Sequence, residues 1–228
     1  MTTKEERNRK MPIAGKGMLL TSMDIDQAHE VDFNRWYDRE HLEERVAIEG
    51  FLEARRYVAE EGSPKYLCLY STETIDVLDS VPYKARLANP TEWSKTTMAR
   101  FKNMIRSVAR ITVSRGKGRG AVLGIMRLRP QTGNEASLRG ALAEAFEPTS
   151  FDGVISMHLI ESDPALSKPL TEKRSASDPG AGDWFVLIDA IDTKAARAAM
   201  AGLIGVKSNV VSSGIYQLLW DIAKADIP

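Results

Sequence analysis

Apolar positions along this chain switch between two spacings, one suited to strands and one to helices. Gly17 to Ile25 is an apolar run of strand length. From Asp32 the apolar residues return at helical spacing to about Ala47, and Gly50 then supplies the left-handed turn that follows a helix. Phe51 to Ala59 and Tyr66 to Thr72 read as two strands joined through Glu61-Gly62-Ser63-Pro64, a turn sequence. A short helical stretch from Val77 to Leu87 ends before Asn89-Pro90. Thr91 is then placed to cap a helix carrying Trp93, Phe101, Met104 and Ile105 along one side, and Val108 to Ser114 closes the series as a strand.

The same order of elements recurs in the second half. Ala121 to Leu128, Val154 to Glu161, Trp184 to Ile191 and Val210 to Trp220 have strand character, and Ser137 to Phe146 and Thr193 to Ile204 have helical character. Ile48-Glu49-Gly50-Phe51 and Phe151-Asp152-Gly153-Val154 both run apolar, acidic, Gly, apolar into a strand. One architecture built twice explains this self-similarity. The expected class is α+β: two ferredoxin-like βαββαβ repeats fused into one α/β barrel, with antiparallel sheets and outer helices. Residues 17–118 form the first repeat and residues 119–228 the second. Residues 1–16, which mix Lys, Glu and Arg, are expected to be a disordered tail. The loop from Asp163 to Asp183, rich in Pro, Ser, Gly and charge, reads as a lid, a dimer arm or a disordered segment. Gly116-Lys117-Gly118-Arg119-Gly120 lacks the strand-loop-helix setting of a phosphate loop and reads as a link.

Composition narrows the partners. The 228 residues carry 31 basic and 31 acidic side chains, so no overall field favours nucleic acid or an anionic membrane. No apolar run reaches membrane length. The single cysteine, Cys68, has no internal disulfide partner, and no Cys/His set has zinc spacing. A cytoplasmic protein acting on a small molecule, with no metal and no cofactor, is the expectation.

The two repeats differ in their first helices. Asp32 to His41 is crowded with polar and aromatic groups, whereas its counterpart from Ser137 to Phe146 is bland, so the chemistry is expected in the first repeat. The segment Tyr37-Asp38-Arg39-Glu40-His41, followed by Gly50 and a strand, resembles the EthD-like members of the dimeric α/β-barrel superfamily, whose first helix carries an aromatic-x-x-x-His pattern. Those proteins usually have Pro two residues after the histidine, where this chain has Glu43. The resemblance implies a cofactor-independent pocket for a small organic molecule, in relatives that include polyketide cyclases, decarboxylases, dehydratases and isomerases. It also implies that single-unit relatives dimerise to complete a barrel. Here both units lie in one chain, so a homodimer is open but not required.

Helical spacing puts Asn34, Tyr37, His41 and Arg45 on one stripe, with Asp38 one turn before His41 and able to orient its ring. An imidazole titrates near neutral pH and is the usual general acid or base. The competing reading has Trp36 and Tyr37 anchoring the helix while His41 sits on a solvated face. On the next strand, alternation separates Phe51, Glu53, Arg55 and Tyr57 from Leu52, Ala54, Arg56 and Val58. Arg55 is a candidate to hold a carboxylate or stabilise an enolate, with Arg56 its competitor. Alternatively, Glu53 and Arg55 pair with each other at a sheet interface. His158 occupies the position of Arg55 in the second repeat. Tyr66, Cys68 and Tyr70 share a strand face, and Cys68 reads as buried and inert.

These readings converge on a cofactor-independent lyase or isomerase, of decarboxylase, dehydratase or cyclase type, acting on a small aromatic or polyketide-like acid. His41, Tyr37 and Arg55 are its catalytic candidates. Asn34, Trp36, Arg45, Arg56, Tyr57, Tyr83 and His158 are its candidate substrate contacts. Two other classes stand beside it: a haem-dependent or cofactor-independent oxidoreductase, and a non-catalytic small-molecule binder. A haem needs an axial ligand, for which a strand-borne His158 is poorly suited.

Overall fold

The structure is a computed structural model, and it describes residues 13–167, 180–206 and 209–227. The first half contains β1 (Gly17–Asp24), α1 (Glu30–Trp36), a π-helical turn (Tyr37–His41), α2 (Leu42–Val46), β2 (Phe51–Glu61), β3 (Tyr66–Thr72), α3 (Val81–Ala88), α4 (Glu92–Met98) and β4 (Lys102–Gly116). The second contains β5 (Val122–Arg129), α5 (Glu135–Ala145), β6 (Val154–Ser162), β7 (Trp184–Ala190), α6 (Thr193–Leu203) and β8 (Asn209–Ala223).

All eight strands pair antiparallel in a closed barrel, in the order β1-β3-β2-β8-β5-β7-β6-β4. Each half contributes its strands in the same order, β4-β1-β3-β2 and β8-β5-β7-β6, the ferredoxin-like arrangement. The halves join where the last strand of each pairs with the second strand of the other, β2 with β8 and β6 with β4. Closure leaves no strand edge unpaired, which is how a barrel avoids the exposed edges of an open sheet. Gly50 and Gly153 enter equivalent strands with φ of +82° and +79°. A Cβ at Gly50 would meet Val77 Cγ2 at 2.6 Å, and one at Gly153 would meet Ala195 Cβ at 2.9 Å, so both turns need glycine for conformation and for space.

Strand alternation divides the side chains between the barrel interior and the helix-covered outside. Met18, Leu20, Leu67, Leu69, Leu123, Ile125, Phe185 and Leu187 pack together inside. Outside the first half, Leu19, Ala54, Cys68, Tyr70 and Val108 pack against Phe33, Trp36, Tyr37, Leu42 and Val46 of the first helical segment. Outside the second half, Met126, Met157, Leu159 and Val186 pack against Leu138 and Leu142 of α5 and Ala199 and Leu203 of α6. The two helix-sheet interfaces therefore differ in kind. The second is mostly apolar, with one buried carboxylate, Glu161, held by Arg139 of α5, whereas the first carries buried tyrosines and a thiol beside its charges.

Several boundaries differ from the sequence expectation. The helix begun at Thr91 stops at Met98, and Met104 and Ile105 belong to β4, where Ile105 pairs with Ser22 of β1. Pairing along β1 outweighs the helical spacing of these apolar residues, and Asn103 takes a positive φ of 50° at the start of the strand. Ile13 is fully buried inside the barrel, and the Lys16 N–H bonds the Thr72 and Glu73 carbonyls, so residues 13–16 are part of the fold rather than of a tail. The remainder of the expected tail, residues 1–12, lies outside the described residues, as do residues 168–179 of the long loop. The described ends of that loop are tied to the barrel. Ser167 exchanges hydrogen bonds with the Val108 backbone, and buried Asp183 pairs with Arg127 and Arg129. Among the described residues, no helix is long and apolar enough to cross a membrane.

Candidate functional site

The first helical segment is interrupted where its chemistry is concentrated. The Leu42 N–H reaches back five residues to the Tyr37 carbonyl, which makes a π turn of Tyr37–His41. The wider turn brings positions five apart together, and the His41 imidazole stacks on the Trp36 indole with centroids 4.0 Å apart and planes at 27°. Trp36 is itself fixed: its Nε1 donates to Glu40 Oε1 at 3.1 Å and to Ser94 Oγ at 3.1 Å. Glu40 Oε1 also accepts from Thr91 at 2.6 Å and from the Ser94 hydroxyl at 3.0 Å. This network binds the π turn to the start of α4.

His41 faces a buried cluster on the outer face of the sheet. Tyr37 lies edge-on to it at 5.2 Å, and Tyr70, from β3, lies edge-on at 6.3 Å. Burial, and then the positive charges of Arg45 and Arg56, hold the His41 pKa well below its ordinary value, so the ring is neutral at pH 7. Burial pushes the phenols of Tyr37 and Tyr70 well up and raises the Cys68 thiol to about 11, so all three keep their protons. Four buried polar atoms here have no hydrogen-bond partner: His41 Nδ1, Arg45 Nη1, Arg56 Nε and Tyr70 Oη. Each such orphan costs about 1–3 kcal/mol, and a second group, Arg55 Nε and Nη2 with Tyr57 Oη, lies inside the barrel.

Arg56 connects this cluster to the surface. Its guanidinium carbon lies 4.3 Å from the Tyr37 ring centroid, 5.1 Å from that of Tyr66 and 5.3 Å from that of Phe33. It donates to Asn34 Oδ1 at 2.5 Å and to Asp38 Oδ1 at 3.2 Å. Asp38 therefore serves Arg56 and not His41, contrary to the helical-spacing expectation, and it also accepts from Trp220 Nε1 at 2.9 Å. A cavity of about 330 Å³ opens over Arg56. Its walls are Asn34, Asp38, Val58 and Tyr66 from the first half, with Leu219 and Trp220 from β8 of the second. The contribution of β8 was not legible in sequence, because it follows from the barrel-closing β2–β8 register, in which Arg56 pairs with Trp220.

Arg55 points the opposite way, into the barrel. Its Nη1 lies 3.4 Å from Asp189 Oδ1, and both side chains are about 1% exposed. His158 Nε2 lies 3.6 Å from the other oxygen of the same carboxylate. Ser114 Oγ lies 2.8 Å from His158 Nδ1, and Ser156 Oγ lies 2.9 Å from Nε2. Glu53 accepts from Ser71 and pairs with Arg119. Burial depresses His158, against the opposing pull of Asp189. Burial would raise Asp189, but Arg55 and His158 outweigh it and hold the carboxylate charged. Tyr57, raised by burial, belongs to this interior layer too. Arg55, Tyr57 and His158 are therefore not brought together with His41, whereas Tyr37, Asn34, Trp36, Arg45 and Arg56 are. Tyr83 packs against Phe51 at 5.7 Å and accepts from Arg106, away from the His41 ring.

Neither candidate histidine is placed as an axial haem ligand. A histidine in that role needs a free imidazole nitrogen facing an open space. His158 has both nitrogens engaged by serines inside a packed barrel, and the helix-sheet interface of the second half presents no imidazole. His41 is stacked on Trp36, and it does not line the cavity over Arg56. Among the described residues, no group of three or more His, Cys, Asp and Glu side chains is placed to hold a metal ion.

No protein-family model and no curated protein matches the chain. Solved structures match in fold. An anthrone oxidase-like protein superposes with a TM-score of 0.61 at 10% identity, covering 96% of this chain and 97% of that one. A chlorite dismutase variant from Candidatus Nitrospira defluvii gives 0.54 at 10% identity, covering 96% and 95%. At this identity the likeness is one of architecture, the α/β barrel of ferredoxin-like units, over nearly the whole of each chain.

Proposed function

We propose that the chain is a cofactor-free enzyme in which His41 takes a proton from a small enolisable aromatic or polyketide-like substrate, in a lyase or isomerase reaction. The observation that carries this reading is the cluster of unsatisfied buried groups: a neutral imidazole with a free Nδ1, two guanidinium nitrogens and a phenol. A neutral imidazole is the base form, and Arg45, which with Arg56 adds to burial in keeping it neutral, also supplies positive charge that an enolate or phenolate needs as it forms. Tyr70, protonated throughout the neutral range and without a hydrogen-bond partner, is available as a donor to the same oxygen, whereas the Tyr37 hydroxyl donates to Met23 Sδ at 3.7 Å. The cavity ends on Arg56, and Tyr37 touches both Arg56 and His41, so turnover on this reading requires the Tyr37 side chain to move aside.

One observation favours a second reading of the same site, namely the extended likeness in fold to an anthrone oxidase-like protein. The anion left after proton removal is electron-rich, and dioxygen can oxidise it without a cofactor. A ring methylene and O2 would then give a ring carbonyl and water, with the methylene carbon oxidised and O2 reduced.

The test is turnover of anthrones, phenolic ketones and aromatic β-keto acids by the wild-type chain and by His41→Gln, followed by mass analysis and an oxygen electrode. Product from wild type alone supports His41 as the base. One O2 consumed per product selects the oxidase reading, and loss of CO2 or water without O2 uptake selects the lyase. Equal turnover by both proteins removes His41 from the mechanism.

A further inference from the structure

The cavity over Arg56 is walled by both repeats, and its composition is selective. Tyr66 and Trp220 supply aromatic surface, and their polar edges are tied down: the Tyr66 hydroxyl donates to Glu30 at 2.6 Å and accepts from Asn34 at 3.3 Å, while Trp220 Nε1 donates to Asp38. Side chains held in this way lose little freedom on binding, which is the advantage of a pre-organised wall. Val58 and Leu219 add apolar surface, and Leu219 is 45% exposed, so a ligand covering it removes apolar area from water. A volume of about 330 Å³ lies at the small end of ligand pockets and suits a fused two- or three-ring system.

The charge of the cavity decides the ligand further. Arg56 is its cation, and Asp38, on the same wall, already neutralises it. An incoming carboxylate would gain Arg56 only while meeting the Asp38 carboxylate, so the net field at the cavity is small. Arg56 Nη1 and Nη2 are committed to Asp38 and Asn34, so the cavity offers a ligand no uncommitted charge and favours an uncharged oxygen such as a carbonyl or phenol.

We propose that this cavity is an aromatic binding site shared between the two repeats, that it takes an uncharged planar phenol or aryl ketone in preference to an aromatic carboxylate, and that Trp220 and Asp38 set that preference. The second repeat, which lacks the polar cluster of the first, thereby completes the site of the first through its last strand. This builds on the proposed small-molecule site but concerns binding alone.

The experiment is calorimetric titration of the full chain at pH 7 with 1-naphthol and 1-naphthoate, which share a ring system and differ in charge. Wild type should bind 1-naphthol about tenfold or more tightly than 1-naphthoate. Asp38→Asn leaves the arginine charge uncompensated and should improve 1-naphthoate binding by about tenfold, with little change for 1-naphthol. Trp220→Ala should weaken 1-naphthol by about tenfold, and Trp220→Phe, which keeps a ring, should recover part of the loss. Equal affinity for the two probes in wild type, or tighter 1-naphthoate, overturns the charge preference. Unchanged 1-naphthol binding in a Trp220→Ala protein that unfolds cooperatively overturns the site. Binding as described with no turnover of any substrate would leave this inference standing and reject the enzymatic reading; turnover indifferent to Trp220 and Asp38 would do the reverse.

Discussion

Trp36 and His41 stand five residues apart and stack face to face at 4.0 Å, a contact that the π turn between them makes. In an unbroken α-helix side chains meet at three and four residues apart. The extra residue in the turn fixes the imidazole against an indole whose own position is set by Glu40 and Ser94. A proton acceptor built on this segment is oriented by a helix defect and a half-buried carboxylate network, without a hydrogen bond to either of its ring nitrogens from the described residues.

Glu40 is the hub of that arrangement. Glu40→Ala should lower unfolding free energy by about 1 kcal/mol, because Trp36 Nε1 and the Ser94 hydroxyl lose a half-buried acceptor while Trp36 keeps Ser94 Oγ. Urea unfolding checks this. Glu40→Gln keeps an acceptor oxygen and should recover most of the loss. If His41 is the base, kcat should fall in Glu40→Ala more than KM rises.

His41 also links stability to acidity. Its pKa is depressed in the folded protein, so between that value and the unfolded value of about 6.5 the unfolded chain holds a proton that the folded chain does not. Stability therefore falls as pH drops below about 6.5, by up to about 1.4 kcal/mol per pH unit for this one group. His158, depressed in the same direction, adds to the slope. His41→Gln should flatten the fall between pH 7 and pH 5 in denaturant titrations. An unchanged slope would mean that His41 titrates alike in both states.

Neighbouring arginines on β2 should separate cleanly by function. Arg56→Met should abolish ligand response, since Arg56 floors the cavity, whereas loss of the Arg55–Asp189 pair should act on stability. Asp189→Ala leaves Arg55 charged and buried and should cost about 3–5 kcal/mol. Thermal shift with and without 1-naphthol distinguishes the two outcomes. An Arg55→Met protein that is stable but blind to ligand would reverse the assignment.

Gly50 and Gly153 provide a paired test of the repeat. Gly50→Ala and Gly153→Ala should each destabilise by more than about 1 kcal/mol, since both positions have positive φ and a Cβ would crowd Val77 in one and Ala195 in the other. Similar losses measured by chemical denaturation would reflect the equivalent roles of the two turns.

Much of this protein can be read from local pattern. Alternating and helical spacings, with Gly50 and Gly153 at equivalent turns, determine the order of strands and helices in both halves, because those spacings follow from backbone geometry. The concentration of aromatic and polar groups from Asn34 to Arg45 likewise marks the half in which the buried polar cluster forms. Alternation separates Arg55 from Arg56, but sequence carries no sign telling which strand face turns inward. Only closure of the barrel decides that, by burying Arg55 with Asp189 inside and leaving Arg56 beneath the first helix. The helix from Thr91 ends early because strand β4 gains a partner along β1, a contact about eighty residues distant in sequence at Ile105 and Ser22. Asp38 turns from His41 to Arg56 and Trp220 for the same kind of reason: spacing along one helix names its neighbours on that helix, while partners from β2 and β8 arrive through tertiary register. The sequence by itself determined the order of the elements and the crowding of polar and aromatic residues on the first helix; the tertiary structure decided which charges meet, because ion pairing and burial depend on contacts between residues far apart in the chain.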